Sequence, residues 1–289
     1  MSLVVDVKVG CYSKSTGWDK EVRTPVEPVG NSFATVLVGV EEAYDDDPLS
    51  VALRRYGGRW YGLADHLDDV EKDVLNLASA FNFSNQDLSA EHLASAALAG
   101  KLHDIGKAHS VFQSTMLATA CDVCEGPDRE GPWAKSGGSI QARHSRKGFR
   151  HELASALALL DAGGDALGGS TEADLVCYLV AAHHGRIRLG IRSLPDEDPP
   201  TGVVSALGIY DGEQLPAVAL PGGITVPLST LRLSPMMLGG DGGEETSWTA
   251  KALRLRDRED LGPFRLAFLE ALVRLADWRA SARATGAVD

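Results

Sequence analysis

Four cysteines in 289 residues, Cys11, Cys121, Cys124 and Cys177, are too few to staple a chain of this length. A disulfide framework is thereby excluded, and a reducing cytoplasm is the expected setting. No run of eighteen apolar residues occurs, which excludes a hydrophobic membrane-spanning helix. No charged-then-apolar leader opens the chain, so export is not expected. A Gly-x-x-x-x-Gly-Lys-Ser/Thr phosphate loop is also lacking, which removes P-loop nucleotide chemistry. Basic residues are the scarcer charge: 28 Lys and Arg stand against 40 Asp and Glu, for a net charge of −12. That balance excludes a uniformly basic surface for nucleic acid. Hydrophobic content of 44% and charged content of 24% are those of an ordinary globular protein with a full core, in one large domain or two small ones.

What the chain does have is histidine beside aspartate. His103 and Asp104 are adjacent in KLHDIGKAHSVFQ, His66 lies upstream in GLADHLDDV, and His151 lies downstream in FRHELASAL. The doublet His183–His184 ends the run DLVCYLVAAHHG, and Asp277 sits in LVRLADWRAS. A lone histidine is most often a surface or satisfied core residue. Five histidines with two carboxylates point instead to a pair of metal ions. Neutral imidazole suits Mn, Fe, Co, Ni and Zn, whereas Mg and Ca prefer oxygen shells. The expected cofactors are therefore two divalent transition-metal ions (Mn, Ni, Co or Fe), with Mg less suited. Two ions roughly 3.5–4 Å apart clamp the attacking and leaving oxygens of a phosphate displacement. A carboxylate can bridge such ions and a single imidazole nitrogen cannot, so Asp104 is the expected bridge. Lys107 shares a helical face with Asp104 and is suited to neutralise charge growing on a phosphate oxygen. Ser281, one turn after Asp277, is in reach to hydrogen-bond a phosphate.

The few cations are clustered beside these motifs. Arg143, Arg146, Lys147 and Arg150 precede His151 with no intervening acid, and Arg186, Arg188 and Arg192 follow the His doublet. Much of the negative charge lies elsewhere, as in EEAYDDD. This distribution favours a polyanionic substrate, with Arg143, Arg146, Lys147, Arg150 and Arg186 as its expected contacts.

At LADHL, LHDIGKAHSVFQ, RHELASA, AAHHGR and ADWRAS the chain resembles the HD metal-dependent phosphohydrolase superfamily. More closely, it resembles the HD nuclease domain of the CRISPR-associated type I nuclease–helicase. The His doublet, the Phe112–Gln113 pair and the Trp in the last motif narrow the likeness, which runs from about residue 60 to residue 283. The resemblance implies a mainly α, HD-superfamily helical bundle around a dinuclear metal site. It implies His66, His103, Asp104 and Asp277 around one ion, and Asp104, His151, His183 and His184 around the other. It further implies cleavage of single-stranded DNA in type I CRISPR interference, by metal-activated water attack on the phosphodiester. The implied partners are a helicase, in the same longer chain or separate, and an RNA-guided effector complex. A phosphohydrolase of nucleotides or cyclic nucleotides would use the same ligand set and stays open.

Residues 1–60 read as a small β-containing segment, with a buried strand at FATVLVGV (33–40). Residues 61–289 read as the nuclease domain. The spacing of Leu63, Leu67, Val70, Val74, Leu77 and Phe81 predicts an amphipathic helix, and Ser89 should cap the next, which ends near His103. Residues 121–149 read as a surface loop. Helices are expected at 151–160 and 172–184, the latter capped by Thr171 and stopped by Gly185. Residues 190–262 read as a Pro/Gly-rich insertion with a β-hairpin at AVALPGGITVPL. The last helix should start near Pro263 and bury Phe264, Phe268, Ala271, Leu275 and Trp278, with Asp277 at the edge of that stripe. Cys121 and Cys124 form half of a zinc-site pattern and read by default as a metal-free pair.

Overall fold

The computed structural model describes residues 12–13, 17–18, 60–81, 88–118, 131–136, 144–162, 167, 169–195, 197–237 and 247–284. The chain divides into two compact units, Met1–Tyr44 and Asp45–Asp289. In the first, strands β1 (Tyr12–Ser13) and β2 (Gly17–Trp18) pair antiparallel. The strand expected at 33–40, the Cys121–Cys124 pair and Arg143 lie outside the described residues.

The second unit is mainly helical. After strand β3 (Tyr61–Gly62), helix α1 (Leu63–Phe81) buries Leu63, Leu67, Val70, Val74 and Leu77 along one face, as the spacing required, but leaves Phe81, the last residue of the expected stripe, exposed at the helix end. Each such side chain removed from water contributes about 1.5–3 kcal/mol. Helix α2 (Ala90–Leu102) is capped by Ser89, whose hydroxyl accepts from His92 N at 3.1 Å. The His92 ring accepts in return from Ser89 N at 3.4 Å, a role more often taken by Glu or Gln. A single 3₁₀ turn, Ile105–Ala108, follows, and then helix α3 (Ser110–Ala118). Strand β4 (Trp133–Lys135) pairs antiparallel with β3 inside the region read as loop. Gln113 pins it, donating to Trp133 O at 2.9 Å and accepting from Trp133 N at 2.9 Å.

Helices α4 (His151–Ala162) and α5 (Ala173–Ala182) follow. The α5 N-cap is Glu172, without a side-chain cap bond. Thr171, expected there, instead donates its hydroxyl to Glu91. Strands β5 (Ser205–Ala206) and β6 (Ile209–Tyr210) pair, as do β7 (Glu213–Leu215) with β10 (Ser229–Leu231). Strands β8 (Val218–Ala219) and β9 (Thr225–Val226) form the expected hairpin. Helix α6 (Trp248–Asp257), with Ser247 as its cap, was not foreseen in this Pro/Gly-rich stretch.

The last helix, α7 (Gly262–Ala284), corrects the expected stripe. Phe264 is 88% exposed, and Phe268 and Leu275 are also exposed, while Leu266, Leu269, Val273, Ala276 and Ala280 are buried. The helix is apolar on two faces, and packing against α1, α2 and α6 selects the second. Trp278 is only partly buried and lies under the Arg274 guanidinium, 4.8 Å from its ring centre. Asp277 follows Ala276 onto the buried face.

Candidate metal centre

All seven residues singled out as ligands converge, although His66, His151 and Asp277 come from α1, α4 and α7 and the other four from the turns that follow α2 and α5. Their donor atoms form two groups, each with every atom within 4.8 Å of the others: His66, His103, Asp104 and Asp277, and Asp104, His151, His183 and His184. Asp104 belongs to both, and its two oxygens divide between them. Oδ2 lies 3.2 Å from His66 Nε2 and 3.2 Å from His103 Nε2. Oδ1 lies 3.0 Å from His151 Nε2 and 3.7 Å from His183 Nε2. Asp277 Oδ1 closes the first group, 3.2 Å from His66 Nε2. His184 Nε2 closes the second, 3.2 Å from His151 Nε2.

Local chain geometry aims these rings. His103 and His183 are C-caps of α2 and α5, where the last turn leaves carbonyls without helical partners. Each ring donates its Nδ1 hydrogen to the carbonyl three residues back, Gly100 O at 2.7 Å and Val180 O at 2.7 Å. That bond fixes the tautomer and leaves the Nε2 lone pair facing inward. Gly106 brings the turn after Asp104 against α4, and its N–H donates to Ser155 Oγ at 2.8 Å. Ser155 Oγ in turn donates to His151 O at 2.9 Å.

The electrostatics suit cations. His103 Nε2, Asp104 Oδ1 and His183 Nε2 are buried without a hydrogen bond, which ordinarily costs about 1–3 kcal/mol for each such group. Converging lone pairs of neutral imidazoles and carboxylates are the donor set of a transition-metal site, so the residues present fit divalent ions. Burial would depress His103, but the carboxylates of Asp104 and Asp277 outweigh it and push its pKa up to about 10, so without an ion the ring holds a proton that a bound cation would displace. For His183, burial and then the charge on His103 push the pKa down to about 3, which keeps its ring neutral. Burial alone would raise Asp104, yet His103 and Lys107 hold it well below the usual carboxylate range. Lys107 Nζ lies 2.5 Å from Asp104 Oδ2 and 5.5 Å from the centre of the Phe112 ring. Phe112 also packs edge-on to His151 at 5.6 Å. The site opens on one side. His66, His103 and Asp104 are at most 1% exposed, whereas His151 and His184 reach the surface.

Three of the expected phosphate contacts are turned away from that role. Arg150 is buried. Ser281 is buried and donates to Asp277 Oδ1 at 3.2 Å, steadying that carboxylate. Arg146 Nη2 lies 2.5 Å from Glu213 Oε1, and its guanidinium stacks 3.9 Å from the Tyr210 ring centre. Lys147 and Arg186 are exposed. Charge runs do not show which long side chains fold back onto internal carboxylates. Glu213 carried no signal, because its charged partner Arg146 is 67 residues away and His109 is farther still.

Glu213 gives the 190–262 region a structural part. It joins β7 to Arg146 and to His109 Nε2, which is 3.6 Å away. Gly208, at φ +71, admits the Phe149 backbone where a Cβ would meet Phe149 Cα at 2.5 Å. The strands therefore buttress the segment leading into His151. Arg146→Ala is expected to cost roughly 1.5–3 kcal/mol, read as a lower urea midpoint. Burial would raise Glu213, but the neighbouring His109 and Arg146 outweigh it and hold its pKa at about 2 against the ordinary 4.5. Because the folded value is the lower one, this stabilisation is complete above pH 4.5 and fades as pH falls towards 2. Glu213→Gln should flatten the pH dependence of the urea midpoint in that window.

Among the described residues no helix is long and apolar enough to cross a membrane. Comparison with curated proteins and with solved structures gives no match. The family model described as "Cas3, HD domain" matches residues 52–201, just over half of the 289-residue chain and the stretch that carries His66, Asp104, His151 and the His doublet. The chain belongs to the Cas3 HD-domain family, the metal-dependent HD-type nucleases of CRISPR systems.

Proposed function

We propose that this protein cleaves single-stranded DNA in type I CRISPR interference. In this reading residues 61–289 form the nuclease body, acting in the cytoplasm with a helicase, in the same chain or separate, and an RNA-guided effector complex. His66, His103, Asp104 and Asp277 hold one divalent ion, and Asp104, His151, His183 and His184 hold the second. The observation that carries this is the division of the two Asp104 oxygens between two groups of donors. Mn, Ni, Co or Fe fits the five imidazoles better than Mg. Ions held there would supply an activated water and neutralise charge on the phosphodiester.

The chain's own residues do the rest. His103 and His183 keep Nε2 inward through their Nδ1 bonds to carbonyls. Lys107 stands beside the shared carboxylate, only slightly exposed, where a cation offsets charge growing on a phosphate oxygen. His151 and His184 form the accessible side, so a strand approaches there. Lys147 and Arg186, exposed and close in sequence to those histidines, are the cations suited to its backbone. Lys147→Glu and Arg186→Glu should each weaken single-strand binding. Each should also lower the slope of log affinity against log salt by about 0.7, read by fluorescence anisotropy. Unchanged slopes would remove both residues from the interface.

The test of function is metal-stripped protein resupplied with Mn, Ni, Co or Mg and given circular single-stranded DNA. Degradation that needs a transition metal is the expected result. Intact circles alongside hydrolysis of mononucleotides or cyclic nucleotides would overturn the strand reading.

A further inference from the structure

His151 lacks the device that orients the other two inward rings. His103 and His183 end their helices and donate Nδ1–H to a carbonyl of their own last turn. His151 is the first residue of α4, and a helix N-terminus presents N–H groups rather than free carbonyls. Its Nδ1 needs an acceptor from elsewhere. The nearest carboxylate to it is that of the next residue: Glu152 Oε2 lies 3.8 Å from His151 Nδ1.

Hydrogen bonding does not account for the place of Glu152. Its side chain is fully buried, and neither oxygen has a hydrogen bond. It sits in a helix whose neighbouring positions, Leu153, Ala154, Ala156 and Leu157, are buried and apolar. A carboxylate in such a place is costly without a partner. Two groups face it: the Arg150 guanidinium, with Nε 4.0 Å from Oε1, and the His151 ring. Arg150 is itself buried, so the row Arg150, Glu152, His151, Asp104 alternates guanidinium, carboxylate, imidazole and carboxylate from inside to site.

We propose that Glu152 is the positioning residue of the second ion site, its carboxylate drawing the Nδ1 hydrogen of His151 so that Nε2 faces Asp104 and His184. This rests on the two-ion reading above. A carboxylate behind a ligating imidazole fixes its tautomer and raises its basicity, and losing such a partner typically costs about 10–100-fold in metal affinity. His151 belongs to only one of the two donor groups, so the loss falls on one ion and spares the other.

The experiment is calorimetric titration of metal-free protein with Mn, comparing wild type with Glu152→Met and Glu152→Gln. Methionine keeps the unbranched length without an acceptor oxygen, and glutamine keeps an acceptor without the charge. Glu152→Met should bind one ion like wild type and the other about 10–100-fold more weakly, with Glu152→Gln between them. If Glu152→Met fails to fold, Glu152→Gln is decisive: a measurable loss at one ion supports the role, and unchanged affinity overturns it. Wild type that takes up two ions, with Glu152→Met equal to it, overturns the role of Glu152 alone. Wild type that takes up fewer than two removes the two-ion reading, and this proposal with it.

Discussion

Asp104→Asn is expected to abolish cleavage and to empty both ion sites together. The change keeps the side-chain shape and removes the charge that His66, His103 and His151 face at 3.0–3.2 Å. An amide can place its one oxygen towards one donor group only, and its NH₂ would confront imidazole nitrogens in the other. Removal of a single preorganised electrostatic partner costs about 10²–10³ in rate, roughly 2.7–4 kcal/mol. Asp104 serves two groups, so the loss should reach or pass the top of that range. Lys107 and the His103 ring would also lose their buried counter-charge, a change worth about 3–5 kcal/mol when one member of a buried pair is removed. Ion counting on reconstituted protein, circle degradation and a thermal melt check the three parts. An Asn variant that retains one ion at wild-type affinity would show that Asp104 is not shared.

Gly106→Ala is expected to damage the fold and the site at once. A Cβ at this position would lie 2.0 Å from His151 O, 2.7 Å from Ser155 N and 2.8 Å from Ser155 Oγ. Backbone atoms cannot rotate aside as a flexible side chain does, so the turn after Asp104 must lift away from α4. Overpacking of this kind costs about 1–3 kcal/mol and at times more, and a backbone clash belongs at the upper end. The movement separates Asp104 from His151, whose closest approach is 3.0 Å. Ion affinity at the second group should therefore fall alongside the urea midpoint. Native stability with native ion binding would mean that this junction gives without cost.

Much of the centre is legible in the sequence alone. Histidine and aspartate at seven positions announce divalent-ion chemistry by residue type alone, because few other combinations of side chains bind such ions. The α1 stripe, the Ser89 cap, the hairpin at 218–226 and the stop at Gly185, with φ +74, were equally plain. Each is a local property, written in periodicity or in one residue's backbone preference. Where the chain carried two answers, only packing chose between them. On α7 both apolar faces satisfy helical spacing, and contact with α1, α2 and α6 buries the one bearing Ala276 and Asp277.

The same holds for charge. Arg146 and Lys147 are adjacent and alike in sequence, yet one meets Glu213 from a strand 67 residues away and is half-buried, while the other is exposed. Glu152, next to a recognised histidine, gave no sign of its burial. By itself the sequence determined the helices, the ligand types and the family. The tertiary structure decided which face of α7 is inside, how Asp104 divides its oxygens, and which cations are exposed. The reason is physical: periodicity and backbone preference act within a few residues, whereas burial and ion pairing depend on partners that only the folded chain brings within a few ångströms.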